Sequence, residues 1–87
     1  MRIWLPWYQT ADNHFVSDAI VIPPSNEFIY KRSVSRGRKN DIWVPGFGKR
    51  EYATAEEAMQ AYDNVMRARG EFVASSEDEA EKMRLLI

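Results

Sequence analysis

The stretch that decides the fold is "YATAEEAMQAYD", residues 52–63. Thr54 is a residue type that caps helices, and Glu57 follows at the three-residue spacing of a capping box. Gly70 follows arginines at 67 and 69, an order typical of a helix end. Apolar side chains between these signals recur at the intervals of one helix face, namely Ala55, Ala58, Met59, Tyr62, Val65 and Met66. The pattern predicts an amphipathic helix that must cover an apolar surface.

The residues before this helix have the pattern of an antiparallel sheet. Strand-forming residues occur in "EFIYKRSV" (27–34), "DIWV" (41–44) and "KREYA" (49–53). Turn-forming residues separate them in "SRGRKN" (35–40) and "PGFG" (45–48). We therefore predict a three-stranded meander over 27–53, with the helix packed on Ile42 and Val44.

The two ends of the chain add shorter elements. "RIWLPWY" (2–8) and "DAIVIPP" (18–24) are strand-like, and "QTADNH" (9–14) between them has the composition of a turn or loop. A second helix is predicted over 76–86, capped by a serine and acidic in its first turn. The fold class is α+β in one domain, 1–87, with a sheet-plus-helix module at 28–70, an N-terminal arm at 1–27 and a C-terminal helix at 71–87. Whether the arm adds strands to the sheet stays open.

Composition argues against several kinds of protein. The chain has 87 residues, no cysteine and one histidine, His14, so thiolate metal sites and cysteine nucleophiles are excluded. It has neither a phosphate-binding glycine loop nor a grouping of nucleophile, base and oxyanion donor. We expect a non-enzyme without cofactor or metal. Without a signal peptide or an apolar run of about 20 residues, we expect no membrane contact and a cytoplasmic location.

Charge is unevenly distributed along the chain. Residues 31–50, here called the basic segment, carry seven bases and one acid, a net charge of +6. Residues 1–30 have a net charge of −2 and residues 51–87 a net charge of −5. A basic segment between acidic flanks indicates a partner with local negative charge.

The meander and the helix together resemble a known family. Thr54, Ala55, Glu56, Glu57 and Ala58, then Ala61, Tyr62 and Asp63, stand in the pattern of the Apetala-type (ethylene-response-factor-like) DNA-binding domain, and Trp43 matches its middle-strand tryptophan. Relatives of that domain occur in phage and mobile-element proteins. The resemblance covers residues 28–70 and implies three antiparallel strands with a helix across one face and the other face in the DNA major groove. The glycine and paired arginines of the family's first strand are replaced here by "KRSVS".

The resemblance and the charge together give the candidate nucleic-acid contacts. Matching positions on the exposed strand face imply Arg32, Arg36, Arg38, Trp43, Lys49 and Arg50, and the basic segment adds Lys31 and Lys39. Arginine can contact guanine and phosphate through two hydrogen bonds, and a β-ribbon fits the major groove. A DNA partner is therefore expected more than an RNA partner. Trp43 could instead face the helix, where it would belong to the core.

Two other kinds of partner remain open. The same basic surface would suit an inhibitor that binds a host protein or a nucleoprotein complex such as a CRISPR effector. Leu85, Leu86 and Ile87 should pack inside the domain or form a homodimer through the C-terminal helix. The aromatic residues Trp4, Trp7, Tyr8 and Phe15 are either a partner patch or a cover for the sheet, and the core role is favoured.

Overall fold

A computed structural model of the chain describes residues 1–24, 30–37, 42–46 and 50–87. Its elements are β1 (Arg2–Trp4), β2 (Tyr8–Ala11), β3 (His14–Val21), β4 (Lys31–Arg36), β5 (Trp43–Pro45), α1 (Ala55–Ala68), β6 (Phe72–Val73) and α2 (Glu77–Leu86). The strands form one mixed sheet in the order β5-β4-β3-β1-β6, with β2 also paired to β3. The α+β class is confirmed, but the sheet is wider than the predicted three strands.

Strand β3 is the centre of the sheet. One of its edges pairs antiparallel with β4, and the other pairs antiparallel with β1 and β2 in succession. Between β1 and β2 the backbone N–H of Leu5 still donates to the carbonyl of Asp18 at 2.8 Å, and the Ser17 hydroxyl donates to the carbonyl of Leu5 at 2.6 Å. The N-terminal arm is therefore an integral part of the sheet.

The prediction of a loop over 9–14 is wrong. Residues 8–11 form β2, a turn occupies Asp12 and Asn13, and β3 begins at His14. The backbone of β2 pairs with β3 from Tyr8↔Val16 onward, through a bulge between Gln9 and Ala11. Pairing with a long apolar strand overrides the turn preference of the local sequence.

A helix covers part of each face of the sheet. Side chains alternate between faces along a strand, and cross-strand partners share a face. Phe15↔Val34 lies on the α1 face, where Ala58 is fully buried. Ile3↔Ile20 lies on the opposite face, where Ala80 of α2 is fully buried. The two helices therefore cover different cores on opposite sides of the sheet.

Helix α1 begins and ends as predicted. The Thr54 hydroxyl accepts a hydrogen bond from the Glu57 N–H at 3.2 Å, while the Glu57 carboxylate accepts one from the N–H of Ala53. At the other end Gly70, with φ of +83°, donates to the carbonyl of Arg67, and the next N–H donates to Met66. This is a Schellman motif, in which glycine takes the left-handed conformation without steric cost.

Helix α2 is confirmed too, with Ser76 as its cap. The Ser75 hydroxyl and backbone N–H both donate to the Glu79 carboxylate, and these bonds lower the pKa of Glu79. Ala80 is buried and Met83 packs beside it, but Leu85, Leu86 and Ile87 are 72%, 81% and 55% exposed. Of the two arrangements predicted for this end, packing inside the domain is not observed, and the homodimer stays a prediction.

Two boundaries of the predicted meander also need correction. In place of a third strand over 49–53, the described residues contain one isolated bridge, Tyr52↔Trp43. The first predicted strand, 27–34, is observed as β4 from Lys31, and residues 25–29 lie outside the described ranges. Helix α1 packs on Val34 and Trp43 and not on Ile42 and Val44, because of the register of β4 and β5.

Among the described residues, no helix is long and apolar enough to cross a membrane.

Ala58 tests the contact between α1 and the sheet. We expect Ala58→Leu to lower the free energy of unfolding by about 1–3 kcal/mol, because added volume in a packed core forces neighbouring side chains from their rotamers. Ala61→Leu is the matched control, since Ala61 is half-exposed on the same helix, and its effect should stay within about 0.5 kcal/mol. Urea unfolding of both variants measures the difference, and equal effects would contradict the packing described here.

Candidate nucleic-acid interface

The predicted contact residues lie in different environments. Lys31, Arg36 and Arg50 are exposed. Arg32 and Trp43 are buried, with 2% and 9% of their surfaces exposed. Arg38, Lys39 and Lys49 lie outside the described residues.

Arg32 lies beneath α1 among three aromatic rings. Its guanidinium carbon is 4.4 Å from the ring centre of Trp7, 4.9 Å from Trp4 and 5.6 Å from Tyr62. One guanidinium nitrogen lies 2.5 Å from a carboxylate oxygen of Asp63, and Trp7 donates its indole N–H to that same oxygen at 3.1 Å. We call Trp4, Trp7, Tyr62 and Asp63 the Arg32 cage.

The cage sets the charge state of this buried group. Burial lowers the pKa of Arg32, and the negative charge of Asp63 opposes that shift. The guanidinium stays protonated even so, because arginine is too strong a base to lose its proton in a protein. The guanidinium is therefore a structural cation enclosed by the protein, and the prediction that Arg32 contacts nucleic acid does not fit its 2% exposure.

The position of Arg32 follows from strand register. Ser17↔Arg32 and Phe15↔Val34 are alternate cross-strand pairs, with Val16↔Ser33 between them, so Arg32 and Val34 point to the same side, toward α1. Both are buried, while Lys31 is exposed and Ser33 half-exposed. Sequence reasoning missed this because the partners of Arg32, Trp7 and Asp63, are 25 and 31 residues away along the chain.

Trp43 also belongs to the core. Its ring lies 5.7 Å from that of Phe15, and its backbone exchanges two hydrogen bonds with Tyr52 at 2.8 and 2.9 Å. Of the two orientations considered for Trp43, the one toward α1 is observed, so its side chain is not on an exposed strand face. The core role favoured for the aromatic arm is confirmed for Trp7 and Phe15, whereas Tyr8 is 44% exposed.

The sheet face opposite α1 carries little net charge. Tyr8 donates its hydroxyl to the Asp18 carboxylate at 2.8 Å, which raises the pKa of Tyr8. The ammonium of Lys31 lies 3.6 Å from the other oxygen of Asp18. Ser33 and Ser35 follow Lys31 on this face of β4. The arginines implied by the family resemblance are absent from the described part of this face.

Arg36, one of the exposed arginines, lies at one end of the sheet. The N–H of Arg36 donates to the carbonyl of Asn13 at 3.0 Å, which places the end of β4 beside the β2–β3 turn. The N–H of Gly37 donates to the carbonyl of Ile42 at 2.8 Å and closes the base of the β4–β5 connection, whose sequence includes Arg38 and Lys39. The guanidinium carbon of Arg36 lies 5.6 Å from the Trp43 ring centre. The β4–β5 end of the sheet therefore carries the exposed guanidinium of Arg36.

The described residues offer few groups for other chemistry. No group of three or more His, Cys, Asp or Glu side chains among them is placed to hold a metal ion. The ring nitrogen Nδ1 of His14 lies 2.6 Å from the Thr10 hydroxyl, in a strand-to-strand contact. This contact orders the bulged end of β2.

The chain matches no protein-family model, no curated protein and no solved structure. The resemblance to the Apetala-type domain therefore stays a prediction from residues 28–70.

The Arg32 cage can be tested by a double-mutant cycle. We expect Arg32→Met to lower the free energy of unfolding by about 3–5 kcal/mol, because it leaves the Asp63 carboxylate beneath α1 without its cation. Adding Asp63→Leu should restore part of that loss, since the unpaired charge is removed too. Lys31→Met, a change at the neighbouring exposed residue, should cost no more than about 0.5 kcal/mol.

Urea unfolding of the wild type, Arg32→Met, Asp63→Leu and the double variant gives the coupling energy directly. Additive effects of the two cage substitutions would show that the Arg32–Asp63 pair contributes no interaction of its own.

Proposed function

We propose that the chain binds nucleic acid through the β4–β5 end of its sheet. The observation that carries the proposal is the net charge of +6 in the basic segment, together with the exposure of Arg36 and Arg50. The resemblance of residues 28–70 to a DNA-binding domain supports the same partner. A phage or mobile-element setting, and a cytoplasmic location, are part of this proposal.

The proposed contacts differ from those expected from sequence. Arg32 and Trp43 serve the core, so the contacts are assigned to Lys31, Arg36, Arg38, Lys39, Lys49 and Arg50. Most of these residues stand in or beside the segments that connect β4, β5 and α1. Cations on such connections reach phosphate oxygens more readily than base edges, so the affinity should depend weakly on base sequence.

The acidic parts of the molecule would orient it on a polyanion. Helix α2 carries Glu77, Asp78, Glu79 and Glu81, which phosphates repel. Attraction at the basic segment and repulsion elsewhere favour one approach of the protein to the duplex. A β-hairpin end fits the major groove, so duplex DNA is the favoured partner.

Salt dependence tests the nucleic-acid proposal. For the wild type we expect log affinity for duplex DNA to fall with log salt, by about 0.9 per phosphate contact, because bound cations are released. Arg36→Glu with Arg38→Glu should weaken binding to every sequence by more than about tenfold and reduce that slope. Fluorescence anisotropy with labelled duplexes over a range of salt concentrations gives both quantities.

The matched control is Arg67→Glu with Lys82→Glu. It changes the net charge by the same amount, but both residues are exposed on the helices and lie outside the basic segment. The control should keep a slope close to that of the wild type. If the folded wild type binds neither DNA nor RNA at low salt, where electrostatic attraction is strongest, the proposal is wrong.

A specific observation favours a second function, the binding of a protein. Leu85, Leu86 and Ile87 form an exposed apolar surface at the C-terminal end of α2. Exposed apolar groups of this size are typical of contact surfaces. The partner would be a host protein, a nucleoprotein complex or a second copy of the chain, and the protein would then act as an inhibitor or as a homodimer.

Removal of residues 85–87 tests the apolar end. Because these side chains are exposed, we expect the deletion to leave the melting temperature within about 2 °C of the wild type. A homodimer held by this end would become a monomer in sedimentation velocity experiments. A monomeric wild type would exclude the homodimer, and a large fall in melting temperature would show that the end packs internally.

A further inference from the structure

A groove of about 570 Å³ lies between α1 and the segment that leads into it from β5. Tyr52, which pairs with Trp43, and Ala61 are its half-buried residues, so an aromatic ring and a methyl group form its less exposed part. The other side chains around it are polar and exposed. An apolar centre within a polar rim is typical of a protein contact surface. We call this surface the α1 groove, and it is lined by Tyr52, Glu56, Glu57, Gln60, Ala61 and Asn64.

The exposed end of α2 has the complementary chemistry. Ala80 and Met83 occupy the side of this helix that packs on the sheet, whereas Leu85 and Leu86 are 72% and 81% exposed. Lys82, also exposed, precedes the two leucines by three and four residues, so all three side chains are neighbours on one face of the helix. We call Lys82, Leu85 and Leu86 the α2 tip. It presents two apolar side chains beside one cation.

The charges of the α1 groove and the α2 tip match in sign and in spacing. Glu57 stands four residues before Ala61 in the groove, and Lys82 stands four residues before Leu86 in the tip. Residues at this interval on a helix are about 5–6 Å apart. A helix that places Leu86 on Ala61 therefore carries its lysine at the separation of the groove carboxylates. Glu56 adds a second negative charge beside the first.

Topology prevents the tip and the groove of one chain from meeting. The α1 groove lies on the α1 side of the sheet next to β5, whereas α2 packs on β1 on the opposite side. Strands β4 and β3 separate β5 from β1. The tip can therefore enter only the groove of another molecule. A two-fold axis would have to bring tip and groove to one interface, which their opposite positions prevent, so the contact joins copies head to tail.

A contact between two α2 tips is less favourable than a contact between tip and groove. Stable interfaces use about 20–30 residues on each side, far more than a tip offers. Two tips in contact would also bring two Lys82 ammonium groups together, since Arg84 is already paired with Glu81 within the helix. The groove instead encloses the leucines and supplies the opposite charge.

We propose that the α2 tip of one molecule docks in the α1 groove of a second copy, and that repetition of this contact forms head-to-tail oligomers. The proposal rests on the second function above, the binding of a protein, and identifies that protein as another copy of the chain. None of the residues involved belongs to the basic segment, so the contact is independent of nucleic-acid binding. Because the contact is small, the association is weak and grows with protein concentration.

Two variants that each lose one side of the contact test the proposal. Leu85→Ser with Leu86→Ser removes the apolar tip and leaves the groove intact, whereas Ala61→Arg fills the groove and leaves the tip intact. In sedimentation velocity experiments, we expect the mass of the wild type to rise with concentration toward the millimolar range. Each variant alone should stay a monomer. An equimolar mixture of the two should form a dimer and nothing larger, because one intact tip meets one intact groove.

The matched control for the groove is Ala68→Arg, the same substitution at an exposed residue of α1 that does not line the groove. It should self-associate as the wild type does, and so should the Arg36→Glu, Arg38→Glu protein. Melting curves of all variants show that they are folded.

An exchange of charges gives an independent measurement. Glu56→Lys should weaken the self-association at least fivefold, because it places a cation opposite Lys82. Adding Lys82→Glu to the same chain should restore part of that loss, since opposite charges then face each other again.

The outcomes separate the head-to-tail contact from protein binding in general. The proposal is overturned if the mixture of folded tip and groove variants does not associate. It is also overturned if Ala61→Arg still dimerises while the tip variant does not, a result that would instead support a two-fold dimer through the tip. A wild type that stays monomeric at millimolar concentration would overturn any contact between copies and leave a host protein or a nucleoprotein complex as the partner.

Discussion

The burial of one cation, the guanidinium of Arg32, is the constraint on which the rest of the structure depends. It joins three segments that are distant in sequence: the β1–β2 corner through Trp4 and Trp7, strand β4, and helix α1 through Tyr62 and Asp63. The contact with Asp63 is close, so ring faces and one carboxylate together stabilise the charge. Desolvated cation–π contacts can each contribute about 2 kcal/mol. Arg32 is satisfied only when all three segments are in place.

The same constraint determines the register of β4. A shift by one residue would turn Arg32 and Val34 outward and bring Lys31 and Ser33 under the helix. That arrangement would expose Val34, which is fully buried, and place the Lys31 ammonium among the aromatic rings. The register that forms the core therefore also removes one arginine from the surface, whereas Arg36, at the end of the same strand, stays exposed.

The helices could be predicted because their signals are local. Thr54, Glu57 and Gly70 define α1 within a short stretch, and the serine cap and acidic first turn define α2. Strand β2 could not be predicted in this way. Its polar residues suggest a turn, and they form a strand only because they pair with β3. The exposed leucines at the end of α2 illustrate another limit, since apolar residues favour burial but do not require it.

The candidate site shows why the charge of a segment is not the charge of a surface. The basic segment has a net charge of +6, but Arg32 is neutralised by Asp63, so +5 remains when that residue is set aside. Setting Asp63 aside likewise changes the net charge of residues 51–87 from −5 to −4. Because the pair removes equal and opposite charges, the separation between the basic segment and the acidic C-terminal part persists. Long-range attraction of a polyanion depends on that separation and not on the number of arginines. Arg32 thus belongs to the fold, whereas any steering of a partner depends on the cations that the fold leaves exposed.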